Sequence, residues 1–232
     1  MRQIHILSSF ALALTVGLAS CANLSGVFAV NETNGGPSRV EDLITRVERV
    51  HVECEVSREH VRESVAALRS VLDASQADPA TAFTQFQRAI TNSEKQAKAL
   101  RASFGPMKRA ASPFFEQWSN DLESFRSTEL RQRSQERLAE TRLRFDSIVA
   151  SVEPTQAVFD SFNAILADRV LFLGHDFNSS SISVVRSEYE TLEQLAVELV
   201  GRLDQGMSLT RDYVLQASPP IQLEGVPEQA GK

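Results

Sequence analysis

The chain has 232 residues, and its 24 Lys and Arg against 30 Asp and Glu give a formal net charge of −6 at pH 7. This acidity argues against nucleic acid as a partner, because phosphate contacts require a basic surface. Only 10 glycines, 8 prolines and 2 cysteines are present, which argues against a loop-rich β fold and against a disulfide scaffold.

Residues 1–20 have the features of a lipoprotein signal peptide. One arginine precedes an apolar run from Ile6 to Leu18 that is too short to span a bilayer as a helix. The run ends in Leu-Ala-Ser-Cys, which matches the lipobox, where a cysteine receives diacylglycerol before the signal peptide is cleaved. We therefore predict lipidation at Cys21 and a membrane partner through that lipid. The alternative is cleavage after Ala22, which would free a soluble periplasmic protein.

The residue that follows Cys21 is Ala22 rather than aspartate, which in enteric bacteria directs a lipoprotein to the outer membrane. We therefore expect a lipid-anchored protein of the bacterial cell envelope, in the outer membrane and facing the periplasm. Removal of residues 1–20 takes away one arginine and changes the net charge from −6 to −7. With Cys21 consumed as a thioether, Cys54 is the only free thiol, so no internal disulfide can form.

Residues 21–37 are short of charge and contain Gly, Asn and Pro, which predicts a flexible tether. Apolar residues then recur every seven positions, a pattern typical of helices with coiled-coil packing. In the first helix, about 38 to 74, they are Val40, Val47, Cys54, Val61 and Leu68. In the second, about 79 to 126, they are Phe83, Ile90, Ala97, Phe104, Ala111, Trp118 and Phe125.

The second helix has an N-cap and a first-turn proline in Asp78-Pro79, and Ser127 or Thr128 can cap a third helix. The third helix ends near Gly174, with a repeat of Leu138, Phe145, Val152, Phe159, Leu166 and Leu173. The fourth helix follows the turn HDFNSSS and ends near Gln216, with a face of Ile182, Val185, Tyr189, Leu192, Ala196, Leu199 and Leu203. Residues 217–232 are predicted to be disordered.

Four amphipathic helices joined by short turns predict an all-α fold, an elongated antiparallel four-helix, coiled-coil-like bundle over residues 38–216. Counting outward from the turns places Cys54 at the height of Val200. Prolines inside a helix remove a hydrogen bond and bend it. We therefore predict a waist with breaks in the second and third helices, and kinks near Pro106, Pro113 and Pro154.

Three segments, FFEQWSNDLESF, LRQRSQERLAETRLRF and ADRVLFLGHDFN, resemble the bacterial lipoproteins of Domain of Unknown Function family 2959. The similarity covers about residues 39 to 215. The order of lipobox, long helix, aromatic FxxW block, Arg-rich block and His-x-x-Asn turn agrees as well. The resemblance implies a helical, coiled-coil envelope lipoprotein and brings no activity. The three prolines and Gly174 depart from the family's pattern, which puts straight helices in doubt.

Two short motifs contain metal-binding or catalytic residue types. Glu48 and His51 have the Glu-x-x-His spacing of ferritin-like metal sites, which require a second such motif and two more carboxylates. His175, Asp176 and Ser179 to Ser181 have the residue types of a hydrolase triad, but a triad converges from separate rigid elements. A solvated helix face and a helix cap explain the two motifs better. We therefore expect no enzyme, no catalytic residue, no metal and no cofactor.

The turn between the second and third helices extends beyond the start of the first helix. Six residues there combine apolar surface with positive charge and are candidates for membrane or partner contact: Trp118, Phe125, Arg126, Arg131, Arg133 and Arg137. In the alternative interpretation the aromatic residues pack within the hairpin, and the arginines pair with acidic residues at helical spacing, namely Asp121, Glu136 and Glu140.

The sequence thus predicts a lipid-anchored envelope lipoprotein that acts as a non-enzymatic helical scaffold or interaction module with an envelope protein partner. The alternative is a bundle that opens at its kinked waist to bind a lipid or another hydrophobic ligand. Cys54 stands in the apolar repeat, so we predict a small buried hydrophobe. An intermolecular disulfide at Cys54 is the alternative, and a homo-oligomer remains open.

Overall fold

The computed structural model describes residues 36–73 and 78–217, which form four α-helices. They are α1 (Gly36–Leu72), α2 (Pro79–Asp121), α3 (Thr128–His175) and α4 (Ser179–Ala217), with one 3-10 turn at Leu122–Ser124. At 1.5 Å per residue, α1 is about 55 Å long and α3 about 70 Å. The predicted signal peptide, most of the tether and nearly all of the tail lie outside the described residues.

Side-chain caps begin three of the helices where the sequence predicts them. Asp78 accepts a hydrogen bond from the backbone N–H of Thr81 at 3.0 Å, and hydrogen bonds from Thr81 lower the pKa of the Asp78 carboxyl. Ser127 Oγ accepts one from the third residue of α3 at 3.3 Å. Asn178 Oδ1 accepts two from the second and third residues of α4, at 2.9 and 3.0 Å. These caps satisfy backbone donors that a helix start leaves unpaired.

The four helices form an antiparallel bundle in which α1 and α3 each pack against both α2 and α4. Arg58 on α1 pairs with Asp204 on α4 at 3.0 Å, and further along α1 Arg69 pairs with Glu193 at 2.8 Å. Residue numbers thus rise along α1 while they fall along α4. The start of α1 therefore lies at the same end of the bundle as the connection between α2 and α3.

The core consists of the seven-residue repeats found in the sequence. In α3 every repeat position is buried: Leu138, Phe145, Val152, Phe159, Leu166 and Leu173. In α1 only the first repeat position, Val40, is partly buried, and in α2 the first and last, Phe83 and Trp118, are. Phe125, predicted as the end of the second repeat, lies after α2 and is half-buried. The all-α, elongated, coiled-coil-like bundle is thereby confirmed.

The prolines lie inside the helices and do not end them. Pro106 and Pro113 are part of α2 and Pro154 is part of α3, and both helices are continuous through these positions. The predicted breaks are therefore wrong. Pro113 and Pro154 are exposed, so their rings occupy the outer face while the core on the opposite face holds the turns on either side.

Polar side chains form a buried layer across α1, α2 and α3. Gln96 Nε2 on α2 donates to Glu53 Oε2 on α1 at 2.8 Å, and Arg49 Nε donates to Glu53 Oε1 at 2.7 Å. Ser93 Oγ on α2 donates to Asn163 Oδ1 on α3 at 2.6 Å, which leaves Asn163 Nδ2 buried without a partner. Because the loss of one partner in a buried polar pair is costly, this layer favours one register of the three helices.

Cys54 lies in the core opposite Gly206 of α4. A Cβ atom at Gly206 would stand 3.5 Å from Cys54 Sγ on α1 and 3.1 Å from Val152 Cγ2 on α3. The backbone of α4 therefore approaches both of these helices closely here. The expected neighbour on α4 was Val200, and α4 is therefore shifted by more than one turn from equal counting. Cys54 is only 1% exposed, and burial, with a smaller contribution from Glu53, raises the pKa of its thiol to about 12.

Replacement of Cys54 by alanine is expected to lower the free energy of unfolding by about 1 kcal/mol, because a single buried sulfur is lost. The neutral, buried thiol of the wild type should react with a thiol reagent only after denaturation. Urea denaturation and thiol titration test these two expectations. A wild-type dimer on non-reducing gels that disappears in Cys54→Ala would instead support the intermolecular disulfide.

Candidate functional site

The α2–α3 hairpin continues past the ends of its neighbours. No residue between Phe115 and Leu138 is buried, although both helices continue into that stretch. Arg137 donates to the backbone oxygen of Gln216, at the end of α4, at 2.6 Å, which shows where α4 ends against α3. We call residues 116–137 the tip. It is a two-helix extension without the core that stabilises the rest of the bundle.

Aromatic rings connect the core to the tip. Phe145 contacts Tyr213 and Phe115 with ring centroids 6.2 and 5.7 Å apart, and Phe114 contacts Trp118 at 5.6 Å. Burial raises the pKa of the Tyr213 phenol. Edge-on contacts of this kind stabilise the packing beyond the area that they bury. These contacts hold the start of the tip against the core of the bundle.

Trp118 is held between the two helices of the tip. Its indole Nε1 donates to Ser134 Oγ on α3 at 2.9 Å, and the ring is half-buried. Leu122 and Phe125 are half-buried too. For Trp118 the structure agrees with the alternative in which the aromatic residues pack within the hairpin.

Leu130 is the apolar residue of the tip with the largest exposure, 54%. It stands four and eight residues before Ser134 and Leu138, which places it toward the face of α3 that forms the core further along. Because α1 and α4 do not reach this height, no described residue of these two helices covers the face there. Leu130 therefore offers apolar surface at the end of the hairpin.

The arginines of the tip have different surroundings. Arg131 donates to the backbone oxygen of Phe125 at 2.9 Å and so braces the turn. Arg133 pairs with Glu129 at 2.8 Å, with both side chains 73% exposed. Arg126 is exposed and makes neither a hydrogen bond nor an ion pair with any described residue. Arg126 and Arg133 are thus the most available positive charges of the tip.

The predicted ion pairs within the hairpin are formed only in part. Glu140 lies 3.8 Å from Arg144, whereas Asp121 accepts from Gln117 and Glu136 accepts from Gln132 instead. Across the whole tip the acidic residues outnumber the arginines by one, but they are unevenly placed. Residues 125–133, which we call the apex, hold three arginines and a single glutamate.

In the two motifs with metal-binding or catalytic residue types, some side chains contact other parts of the bundle and others are exposed. His51 Nδ1 lies 3.0 Å from Thr210 Oγ1 and 3.1 Å from the backbone oxygen of Met207, while Glu48 is exposed. Asp176 accepts hydrogen bonds from the side chains of Asn178 and Ser181, next to the exposed His175. No cluster of three or more His, Cys, Asp and Glu suited to a metal ion occurs among the described residues.

The sequence did not reveal a second apolar surface, at the opposite end from the tip. Four large apolar side chains in the last turn of α3, in the α3–α4 turn and near the start of α4 are 37% to 62% exposed, and together we call them the far-end cluster: Leu171, Phe172, Phe177 and Val184. The Phe177 ring lies 5.2 Å from that of Phe83 on α2. None of the four belongs to the apolar repeats. The adjacent pair Leu171-Phe172, outside the repeat, was the available signal.

Two of the surface grooves in the described part of the chain lie between adjacent helices. One of about 390 Å³ between α1 and α4 has an apolar floor that includes Val61 and Val200, and Arg69 crosses it to reach Tyr189 at 2.9 Å. Another of about 370 Å³ lies beside Pro106, between α1 and α2. The second groove is at the predicted waist and bears on the ligand-binding alternative.

The antiparallel helices define an all-α bundle protein. A family model described as Protein of unknown function (DUF2959) matches residues 28–216, and the chain belongs to that family. The resemblance found in the sequence is thus confirmed. No curated protein and no solved structure matches the chain. None of the helices in the described part of the chain is long and apolar enough to cross a membrane.

Proposed function

We propose that this protein is a lipid-anchored lipoprotein of the bacterial envelope that acts as a non-enzymatic helical scaffold or interaction module. The lipobox that ends in Cys21 supports the anchor, and membership of the DUF2959 family fits the resemblance to envelope lipoproteins. The long bundle supports the scaffold role, because its helices separate two ends with different surfaces. One end has the tip, and the other has the far-end cluster.

The position of the far-end cluster is the observation that carries this proposal. α1 begins at the tip end, so a lipid on Cys21 would hold that end near the membrane. The length of α1, about 55 Å, would then separate the cluster from the bilayer. Large apolar side chains exposed at one end of a bundle offer a surface for contact with another protein. The cluster would thus be presented to a partner within the periplasm.

A photo-crosslinking residue at Val184 should capture one discrete protein in living cells. Val184 belongs to the far-end cluster, whereas Val197 is an exposed valine on the same helix outside the cluster, and it serves as the matched control. We expect a crosslinked band with the probe at Val184 and none with the probe at Val197. Equal patterns from both positions would contradict a specific contact at the far end.

A hydrophobic-ligand function at the waist is the second candidate. Asn163 Nδ2 and Gln156 Nε2 are buried without partners in the middle of α3, and the groove beside Pro106 lies between α1 and α2. Unpartnered buried donors lower stability, so this region should open more readily than the rest. A stoichiometric lipid released from the purified protein on denaturation, detected by mass spectrometry, would favour this function over the scaffold.

A further inference from the structure

We propose that the apex, residues 125–133, rests on an anionic bilayer surface. The protein would then contact its membrane at two points, through the lipid on Cys21 and through the apex. This inference rests on the proposed function, because the anchor brings the tip end to the bilayer. It adds a partner for the tip and a defined orientation of the bundle.

Chain connectivity keeps the apex close to the bilayer. Residues 22–35 separate Cys21 from Gly36, the first residue of α1, and cannot span more than roughly 50 Å when fully extended. A flexible chain of this length has an end-to-end distance of about 20 Å. The tip continues past the end of α4 on the side where α1 begins. It is therefore the part of the bundle that projects toward the anchor.

The charge of the apex suits an anionic surface. It holds three arginines and one glutamate in a chain whose net charge is −6. Arg126 has no partner among the described residues, and the exposed Arg133–Glu129 pair is of a kind that contributes little to stability. Arg126 can therefore bind a lipid phosphate directly, and Arg133 can exchange Glu129 for one, since arginine binds phosphates with paired hydrogen bonds.

Apolar residues next to these arginines favour contact with lipid headgroups. Leu130 is 54% exposed between Arg126 and Arg133, and Phe125 is half-buried at the start of the apex. Arginines beside apolar side chains are typical of segments that lie at a membrane interface. Three acidic residues precede the apex and would be repelled by an anionic surface, namely Glu116, Asp121 and Glu123. Contact is therefore restricted to the apex, with the bundle standing away from the bilayer.

The test uses the chain from residue 22 onward, which lacks the lipid. The helices α1 to α4 pack against one another, so removal of residues 1–21 takes away none of these contacts, and circular dichroism verifies the helices. Sedimentation with vesicles measures binding of this chain. We expect it to bind vesicles of phosphatidylcholine and phosphatidylglycerol at low salt, and not vesicles of phosphatidylcholine alone or anionic vesicles at high salt.

The double variant Arg126→Gln/Arg133→Gln should bind the anionic vesicles about 25-fold more weakly, which is roughly fivefold for each arginine. The matched control is Arg62→Gln/Arg88→Gln. Arg62 pairs with Glu59 at 3.0 Å as Arg133 pairs with Glu129, and Arg88 is exposed without a partner among the described residues, as Arg126 is. The control variant should bind as the wild type does.

The proposal is overturned if the chain does not bind anionic vesicles at low salt, or if both double variants lose affinity equally. Protein crosslinks from the apex without vesicle binding would overturn it too, and would assign the apex to a protein partner. None of these outcomes touches the anchor, because acylation of Cys21 is measured separately in cells. Failure of the apex contact is therefore distinguishable from failure of the proposed function.

Discussion

Cells that express Cys21→Ser are expected to incorporate no labelled fatty acid into this protein, whereas the wild type becomes strongly labelled. Diacylglycerol is transferred to the cysteine sulfur of the lipobox, and serine offers no thiol for a thioether. The same variant should leave the membrane fraction. Labelling with a fatty acid analogue, followed by membrane fractionation, measures both effects. This is the largest effect that we expect from any single substitution, because the label should be lost completely.

The matched control is Cys54→Ala, which removes the other cysteine of the chain and should retain full labelling. Cys54 is buried in the bundle, so it offers no site for acylation. Equal labelling of wild type and Cys21→Ser would contradict the lipobox assignment. A mature protein that begins at Asn23 would show cleavage after Ala22, as the alternative interpretation of the N-terminus requires.

The sequence was sufficient to predict the core because the apolar repeat is nearly uninterrupted. Phe145, Val152 and Phe159 stand seven residues apart in α3, and all three are buried. A repeat of this period places apolar side chains on a single stripe of a helix, and only a neighbouring helix can cover it. Short turns then make neighbours in sequence antiparallel neighbours in space. The predicted ends of the helices agree with those in the structure to within about five residues, because the repeat stops where each helix stops.

The register between helices was less predictable. Cys54 faces Gly206 rather than Val200, because equal counting assumes turns of equal rise and straight helices. A buried hydrogen bond such as that from Gln96 to Glu53 selects the register, and a side chain's partner on another helix is not encoded in a seven-residue period. The continuity of α2 through Pro106 has a similar cause. Packing on both sides of a proline can outweigh the hydrogen bond that it removes.

For the tip, the seven-residue repeat predicted the hairpin but not the contacts of its side chains. Trp118 and Ser134 are hydrogen-bonded across the hairpin, and Arg137 reaches the end of α4 instead of an acidic neighbour. Such contacts depend on where α4 ends and on how the two tip helices face each other. The spacing of charges along one helix predicts partners on that helix only, whereas a long side chain can also reach partners on other helices. The far-end cluster was not predicted because its residues follow no seven-residue repeat.

Phe159→Ala should lower the free energy of unfolding by about 3 to 5 kcal/mol, the largest loss of stability that we predict. Phe159 is 0% exposed in the middle of α3, and its removal leaves a cavity that the packed core cannot fill completely. A domain has only about 5 to 15 kcal/mol of stability in total. Urea denaturation of the chain from residue 22, followed by circular dichroism, measures the loss.

Phe172→Ala is the matched control, because Phe172 stands on the same helix but is 43% exposed in the far-end cluster. If the far-end cluster is a surface for a partner, the loss of the Phe172 ring should change the free energy of unfolding of the isolated protein by less than about 1 kcal/mol. Crosslinking through Val184 should nevertheless weaken in this variant. Equal losses of stability at Phe159 and Phe172 would mean that Phe172 belongs to the core. The far end would then owe its apolar residues to folding, and the proposed partner contact would lose its main support.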